Sequence, residues 1–296
     1  MGENRYRSAA DFRKSLEMRL QSEAKETGVD LQRVRRRVAF DRLLARLFAD
    51  PTPPFFLKGG YAMELRLACA RATKDIDLTY FQKLQTKELS FADLLLRDLQ
   101  KLSSIDLGDF FIYSIGSAAL DLDNAPYGGA RYPISSFIDG KLFVRFQLDV
   151  GGDTLATETE VMITTDWLHF CGISPPSIRM ISLEQQFAEK IHAYTLPRDR
   201  DNTRVKDLID LFLLMQMRAF DPQRLLPILL HVFKARDTHS LPAKLPSPPS
   251  EWSIPYAVLA EECDLPTDIE LVFEKINLTF SSAVQPFHNN EISPGG

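Results

Sequence analysis

Apolar and polar positions alternate with two different periods along this chain, and the period indicates which elements each region forms. In residues 1–49 apolar side chains recur every three or four positions, which predicts two helices that end before a proline-rich stretch. A short apolar strand at 55–57 then leads through two glycines into a helix at about 61–68. A strand at about 75–81 and a helix at 87–102 complete the predicted N-terminal half.

The middle of the chain is rich in β-branched and aromatic residues, which favour strands. Asp139-Gly140 lies between two such runs and suits a two-residue hairpin turn. From Ser182 onward the helical period returns. The predicted strands are 110–115, 131–138, 141–150 and 161–164, and the predicted helices that follow are 183–195, 204–218, 222–235 and one near 266–276.

This order of elements predicts an α+β protein in which helices flank a mixed sheet and a helical C-terminal domain follows. We expect the α/β domain in residues 1–170, the helical domain in 171–285 and a disordered tail in 286–296. Hydrophobic residues make up 45% and charged residues 25%, as in ordinary globular proteins. No apolar run approaches the roughly 20 residues of a membrane span. The N-terminus lacks a signal-peptide pattern, so we expect a cytoplasmic protein.

Charge is distributed unevenly, although the net charge is −5. Residues 1–49 contain twelve Lys and Arg against seven Asp and Glu, and Arg33, Arg35, Arg36, Arg37, Arg42 and Arg46 form the densest part. Two interpretations remain open at this point. The arginines either form a solvated helix face or contact a nucleic-acid phosphate backbone.

The segment from residue 55 to 81, FFLKGGYAMELRLACARATKDIDLTYF, contains the most informative pattern. Glycines between a strand and a helix let backbone N–H groups approach a phosphate. In the next strand, alternation places Asp75 and Asp77 on one face while Ile76 and Leu78 point into the core. Two neighbouring carboxylates remain ionised most easily around a divalent cation.

A third carboxylate is expected from a neighbouring strand. In the run at 141–150, Val144, Phe146, Leu148 and Val150 alternate inward, which leaves Asp149 on the opposite face at the strand end. Three carboxylates around two Mg²⁺ (or Mn²⁺) ions would drive in-line attack on an α-phosphate. A turn-forming role for Asp149 is the alternative, and Asp153 is a rival third carboxylate.

Two sets of motifs resemble a known family. Lys58-Gly59-Gly60 followed by Thr73-Lys74-Asp75-Ile76-Asp77 resembles the first motif of the AbiEii/AbiGii toxin-type nucleotidyltransferases, which have the DNA polymerase β-like nucleotidyltransferase fold. The motif pair EQQFAEKIHA, which contains Lys190, and RVKDLIDL, which contains Asp207, resembles the C-terminal motifs of that family. The matches span roughly residues 55–215 in the family's order.

The resemblance implies transfer of a nucleoside monophosphate from an NTP to an acceptor, often the 3′ end of tRNA, by a toxin with a separately encoded antitoxin. It implies that Asp75 and Asp77 hold metal, that Asp149 completes the site or activates the hydroxyl, and that Lys190 neutralises the triphosphate. Asp207 would orient Lys190 or a nearby arginine. Lys58, Gly59, Gly60 and Thr73 would then lie at the nucleotide, while the basic N-terminal helices and the helical domain would contact tRNA.

Several alternatives stay open. Lys190 lies at the edge of its helix's apolar stripe and could pair with Glu184 or Glu189, while Asp207 and Asp210 could pair with Arg204 or Lys206. The acceptor could be a protein hydroxyl or a small molecule, or the chain could be a degenerate, non-catalytic binding protein. The base preference and the oligomeric state are not indicated by any residue pattern.

Overall fold

The computed structural model describes residues 5–67, 73–81, 90–121, 128–152, 159–198, 202 and 204–292. In chain order its helices and strands are α1 (Ala9–Thr27), α2 (Leu31–Leu47), β1 (Phe55–Lys58), α3 (Gly59–Arg66), β2 (Asp75–Tyr80), α4 (Phe91–Ser103), β3 (Ile112–Ile115), β4 (Leu120–Asp121), β5 (Gly129–Ile138), β6 (Lys141–Gly152), β7 (Glu160–Ile163), β8 (Ser177–Met180), α5 (Leu183–Thr195), α6 (Val205–Gln216), α7 (Leu225–Arg236), α8 (Ser253–Glu262) and α9 (Ile269–Ile292).

The strands of the described residues form one mixed sheet in the order β3-β5-β6-β2-β1-β8-β7, and β4 pairs with β5. The two central pairings have opposite senses, because β2 runs antiparallel to β1 and parallel to β6. The predicted hairpin joins β5 to β6, and both turn residues, Asp139 and Gly140, have the positive φ that its tight two-residue turn requires. The α+β fold class is therefore confirmed.

One face of the sheet forms the core of the first compact unit, which runs to Met180 and contains α1 to α4. Ile76, Leu78, Leu148 and Val150 are fully buried on this face. Helix α2 packs there through Phe40, whose ring centroid lies 4.8 Å from that of Phe146. Because strand side chains alternate, Asp75 and Asp77 of β2 and Gln147 and Asp149 of β6 lie on the opposite face.

The second compact unit, from Ile181 onward, contains α5 to α9. Helix α5 packs against α6 and α7, and α6 also contacts α8 and α9. Ser182 begins α5 by accepting a hydrogen bond from the Gln185 N–H, as an N-cap residue does. None of the helices in the described part of the chain has the length and apolar character needed to cross a membrane.

The boundaries differ from the sequence predictions in a few places. Helix α3 begins at Gly59, two residues earlier than expected, so both glycines belong to its first turn. Strands β4 and β8 were not predicted, since each is short and carries little alternation of its own. Helix α8 was also missed, and α9 continues to Ile292, into the segment for which the sequence predicted a disordered tail.

Candidate active site on the polar face of the sheet

Four charged residues lie in register across four adjacent strands on the polar face. Lys58 on β1 pairs with Asp77 on β2, Asp77 pairs with Asp149 on β6, and Asp149 pairs with Arg131 on β5. The row therefore has two carboxylates in its centre and a cation at each end. We call these four residues the charged row.

Asp75 lies one step further along β2 on the same face, where it is in register with Gln147. Burial raises the pKa of the Asp75 carboxyl, and the negative charge of Asp149 raises it further, although Arg131, Lys74 and Arg36 oppose both effects. The Oε1 atom of Gln147 is buried without a hydrogen-bond partner among the described residues. Carboxylate oxygens whose negative charge is only partly compensated, and an amide oxygen without a hydrogen-bond partner, are ligands suited to a hard divalent cation.

Gly59 is required by the position of Asp77. Its φ is +66°, and a Cβ there would lie 2.1 Å from the Asp77 Oδ2 atom and 2.8 Å from the Asp77 Cβ. A side chain at residue 59 would therefore displace the carboxylate. At Gly60 an added Cβ would lie 2.8 Å from the Thr73 hydroxyl oxygen. The two glycines bring the start of α3 against the strand that carries the paired aspartates.

Thr73 and Glu64 connect this turn to α2. The Thr73 hydroxyl donates to the Asp75 carbonyl at 3.2 Å, and the Thr73 N–H donates to Glu64 Oε2 at 3.3 Å. The other Glu64 oxygen accepts from the Nε atoms of Arg33 and Arg37 at 2.9 and 2.7 Å. Glu64 is buried, and its role could not be predicted from the sequence because a single glutamate in a short helix carries no motif signal.

The clustered arginines of α2 do not form the open basic surface that the sequence suggested. Arg42 and Arg46 are buried and both bind Asp109, the latter with Nη2 to Oδ1 at 2.6 Å. Arg33 and Arg37 bind Glu64, and Arg35 binds Glu17. These carboxylates are not visible in the local pattern, and their pairing with the arginines means that a purely solvated face is wrong for these residues. The nucleic-acid contact stays a prediction. Arg36 remains, with a buried Nε that lacks a partner in the described part of the chain.

Both carboxylate oxygens of Asp149 accept hydrogen bonds from Arg131. The Arg131 Nε donates to Asp149 Oδ1 at 2.7 Å and its Nη2 donates to Oδ2 at 2.6 Å. Within the described ranges no three His, Cys, Asp or Glu side chains are arranged to hold a metal ion. Nothing in the sequence singles out Arg131, because a regular hairpin at Asp139-Gly140 would place it opposite Leu148. The β-bulge between Ser136 and Phe137 shifts the register and brings Arg131 opposite Asp149. The rival Asp153 lies outside the described residues.

The second unit contains its own charge cluster. Lys190 on α5 donates to Asp207 Oδ1 at 3.0 Å and to Asp210 Oδ2 at 2.6 Å, both on α6. Arg204 also approaches Asp207, at 3.5 Å. Asp207 and Asp210 are buried, and the Lys190 side chain is 11% exposed, so one ammonium group balances two carboxylates at a place that solvent still reaches.

Comparison with known proteins identifies the family. A family model described as "Nucleotidyl transferase AbiEii toxin, Type IV TA system" matches residues 42–282. No curated protein matches the chain. Among solved structures, the nucleotidyltransferase toxin MenT4 of Mycobacterium tuberculosis H37Rv is similar with a TM-score of 0.55 and 14% identity, covering 90% of this chain and 98% of that one. This likeness shows a shared fold.

Two further solved structures are similar at lower scores. JHP933 from Helicobacter pylori has 17% identity and a TM-score of 0.45, covering 86% of this chain and 94% of that one. A putative nucleotidyltransferase from H. pylori has 16% identity and a TM-score of 0.41, covering 86% and 95%. Because the family match covers most of the chain, including the charged row and the Lys190 cluster, the chain belongs to the AbiEii nucleotidyltransferase toxins of type IV toxin–antitoxin systems.

Proposed function

We propose that this toxin transfers a nucleoside monophosphate from an NTP to the 3′ end of tRNA, with Mg²⁺ or Mn²⁺ held by Asp75, Asp77 and Asp149. The observation that carries the proposal is the register of Asp77 with Asp149 beside the Gly59 turn. Carboxylates on adjacent strands supply hard oxygen ligands, and a helix start beside them supplies N–H groups that favour phosphate.

In the proposed reaction the 3′ oxygen of the acceptor forms a bond to the α-phosphorus, and the bond from that phosphorus to the bridging oxygen breaks to release pyrophosphate. The bound cation would stabilise the charge that develops on the phosphate and lower the pKa of the attacking hydroxyl. Asp149 would accept the hydroxyl proton or complete the metal site. Lys58 and the backbone of Gly59 and Gly60 would orient the phosphates.

We assign Lys190 to the triphosphate and Asp207 to the orientation of Lys190, as the family's motifs imply. The ion pairs of Lys190 support this assignment because they hold its ammonium group in one place while leaving the side chain reachable. Asp210 would share the orienting role, since its oxygen is the nearer of the two at 2.6 Å.

Two partners follow from the proposal. Membership of a type IV system implies an antitoxin encoded elsewhere, which we propose antagonises the toxin's effect without forming a stable complex. For tRNA, the support from α2 is weaker than its sequence indicated, because most of its clustered arginines bind carboxylates of the chain. Helix α1 carries the exposed cations Lys14, Arg19 and Lys25. We propose that the N-terminal helices and the helical domain together contact tRNA.

The acceptor can be tested with each α-³²P-labelled NTP, Mg²⁺ and three acceptors: total tRNA, the same tRNA oxidised with periodate, and total protein. Periodate destroys the terminal ribose diol, so we expect label on untreated tRNA and none on oxidised tRNA. The NTP that labels best identifies the preferred base. Equal labelling of oxidised tRNA, or label found only on protein, would contradict the proposed acceptor and leave the family assignment intact.

A further inference from the structure

The contact between Arg131 and Asp149 differs from the buried ion pair elsewhere in the same unit. Arg46 and Asp109 have side-chain exposures of 1% and 0%, so their pairing is inaccessible to any ligand. Arg131 and Asp149 have exposures of 38% and 12%. The guanidinium of Arg131 thus covers the carboxylate from the solvent side, where an incoming molecule can reach it.

This pairing conflicts with the role proposed for Asp149. Both carboxylate oxygens accept hydrogen bonds from one guanidinium, at 2.7 and 2.6 Å. A cation cannot occupy the same positions at once, because the positive guanidinium both fills them and repels it. Each oxygen keeps a second lone pair, but the adjacent positive charge of Arg131 opposes a cation there, so Asp149 binds a metal ion or accepts a hydroxyl proton more readily when Arg131 moves away.

The surroundings indicate what could move it. Arg131 interacts electrostatically with Asp75 and Asp77 as well as Asp149, and its hydrogen bonds to Asp149 are the main reason that its pKa is raised. A guanidinium binds phosphate oxygens with the same two-pronged geometry that it uses for a carboxylate. A nucleotide triphosphate brought to the charged row would present such oxygens.

We propose that Arg131 is a positioning residue that holds Asp149 until the phosphates of a nucleotide draw the guanidinium away, so that nucleotide binding releases Asp149. This inference rests on the proposed function in requiring a divalent cation and an NTP at the charged row. It explains why the third carboxylate is paired in the protein alone. It also makes tight metal binding dependent on the presence of nucleotide.

The test is to titrate the full chain first with Mn²⁺ alone and then with a non-hydrolysable NTP analogue. Binding in each titration is measured by paramagnetic resonance or calorimetry. The variants are Arg131→Ala and Arg131→Lys. Arg145→Ala is the control, because Arg145 is an exposed arginine that lies on β6, on the same face of the sheet as Asp149. We expect Arg131→Ala to bind Mn²⁺ on the order of tenfold more tightly than the wild type and the analogue on the order of tenfold more weakly.

Arg131→Lys keeps the charge without the two-pronged geometry, so its Mn²⁺ affinity should lie between those of the wild type and Arg131→Ala. Unchanged Mn²⁺ affinity in both variants would overturn the role of Arg131. Failure of the proposed function would give a different result, because Asp77→Asn and the wild type would then bind Mn²⁺ with equal affinity. Thermal unfolding of each variant checks that altered binding does not reflect a lost fold.

Discussion

Replacement of Gly59 by alanine tests whether the position of Asp77 matters to the reaction. The new Cβ would lie 2.1 Å from Oδ2, 2.6 Å from Cγ and 2.8 Å from Cβ of Asp77. Rotation of the carboxylate alone cannot relieve all three contacts, because the Asp77 Cβ is fixed to the backbone of β2. The strand or the turn must shift, so the position of Asp77 relative to the turn must change by roughly 1 Å, a displacement that can cost an active site about 100-fold in rate.

The same substitution also places alanine in left-handed backbone, which costs about 1–2 kcal/mol of stability whatever its neighbours. Gly140 provides the matched control, since its φ is +65° and a Cβ there would meet nothing within 4 Å. Gly140→Ala should therefore carry the backbone cost without the contact. We expect both variants to lose about 1–2 kcal/mol of unfolding free energy from that source.

The assay is NTP-dependent labelling of total tRNA at matched protein concentration, with urea unfolding measured in parallel. We expect kcat/KM to fall about 100-fold in Gly59→Ala, or about 2.7 kcal/mol of transition-state stabilisation, and to stay near the wild-type value in Gly140→Ala. Equal activity in the two variants would refute the reasoning, because Asp77 would then tolerate displacement from its place beside the turn.

Two further predictions concern buried carboxylates. Burial raises the pKa of Asp41 to about 7 despite hydrogen bonds from Tyr61, so the folded state binds a proton that the unfolded state releases near pH 4. The free energy of unfolding should therefore fall as pH rises through this window. Between pH 5 and pH 8 the wild type should lose about 2–3 kcal/mol relative to Asp41→Asn, as measured by urea unfolding. The same pH dependence of unfolding free energy in both proteins would contradict this. Lys190→Ala leaves Asp207 and Asp210 without their ammonium partner and should cost about 3 kcal/mol of unfolding free energy and most of the labelling activity. Adding Asp210→Ala should restore much of the stability but not the activity, and recovery of labelling in that double variant would show that Lys190 acts only on stability.

Local pattern was sufficient to predict much of the sheet. Strand alternation placed Ile76 and Leu78 in the core, where both are fully buried, and left Asp75 and Asp77 on the other face. The hairpin at Asp139-Gly140 followed from turn chemistry, which depends only on neighbouring residues. Each of these predictions uses information contained within a few positions of the chain.

What the sequence could not predict depends on pairs of residues far apart in the chain. The arginines of α2 resembled a basic surface because Glu64 and Asp109, which bind them, lie 27 or more residues away. Arg131 and Asp149 are likewise 18 residues apart and meet only through the register of β5 and β6. Charge patterns in one helix therefore did not indicate which cations are available to a ligand.

The roles of Asp75, Asp77, Asp149, Lys190 and Asp207 remain predictions, and the most direct test of the central claim is a comparison of Asp77→Asn with Asp139→Asn. Both variants exchange a carboxylate for an amide of the same shape, but Asp139 lies in the hairpin turn away from the charged row. With each labelled NTP, Mg²⁺ and total tRNA, we expect Asp77→Asn to lose labelling by at least about 1000-fold while Asp139→Asn keeps it. Normal labelling by a folded Asp77→Asn variant would contradict the account that nucleotidyl transfer occurs at the charged row.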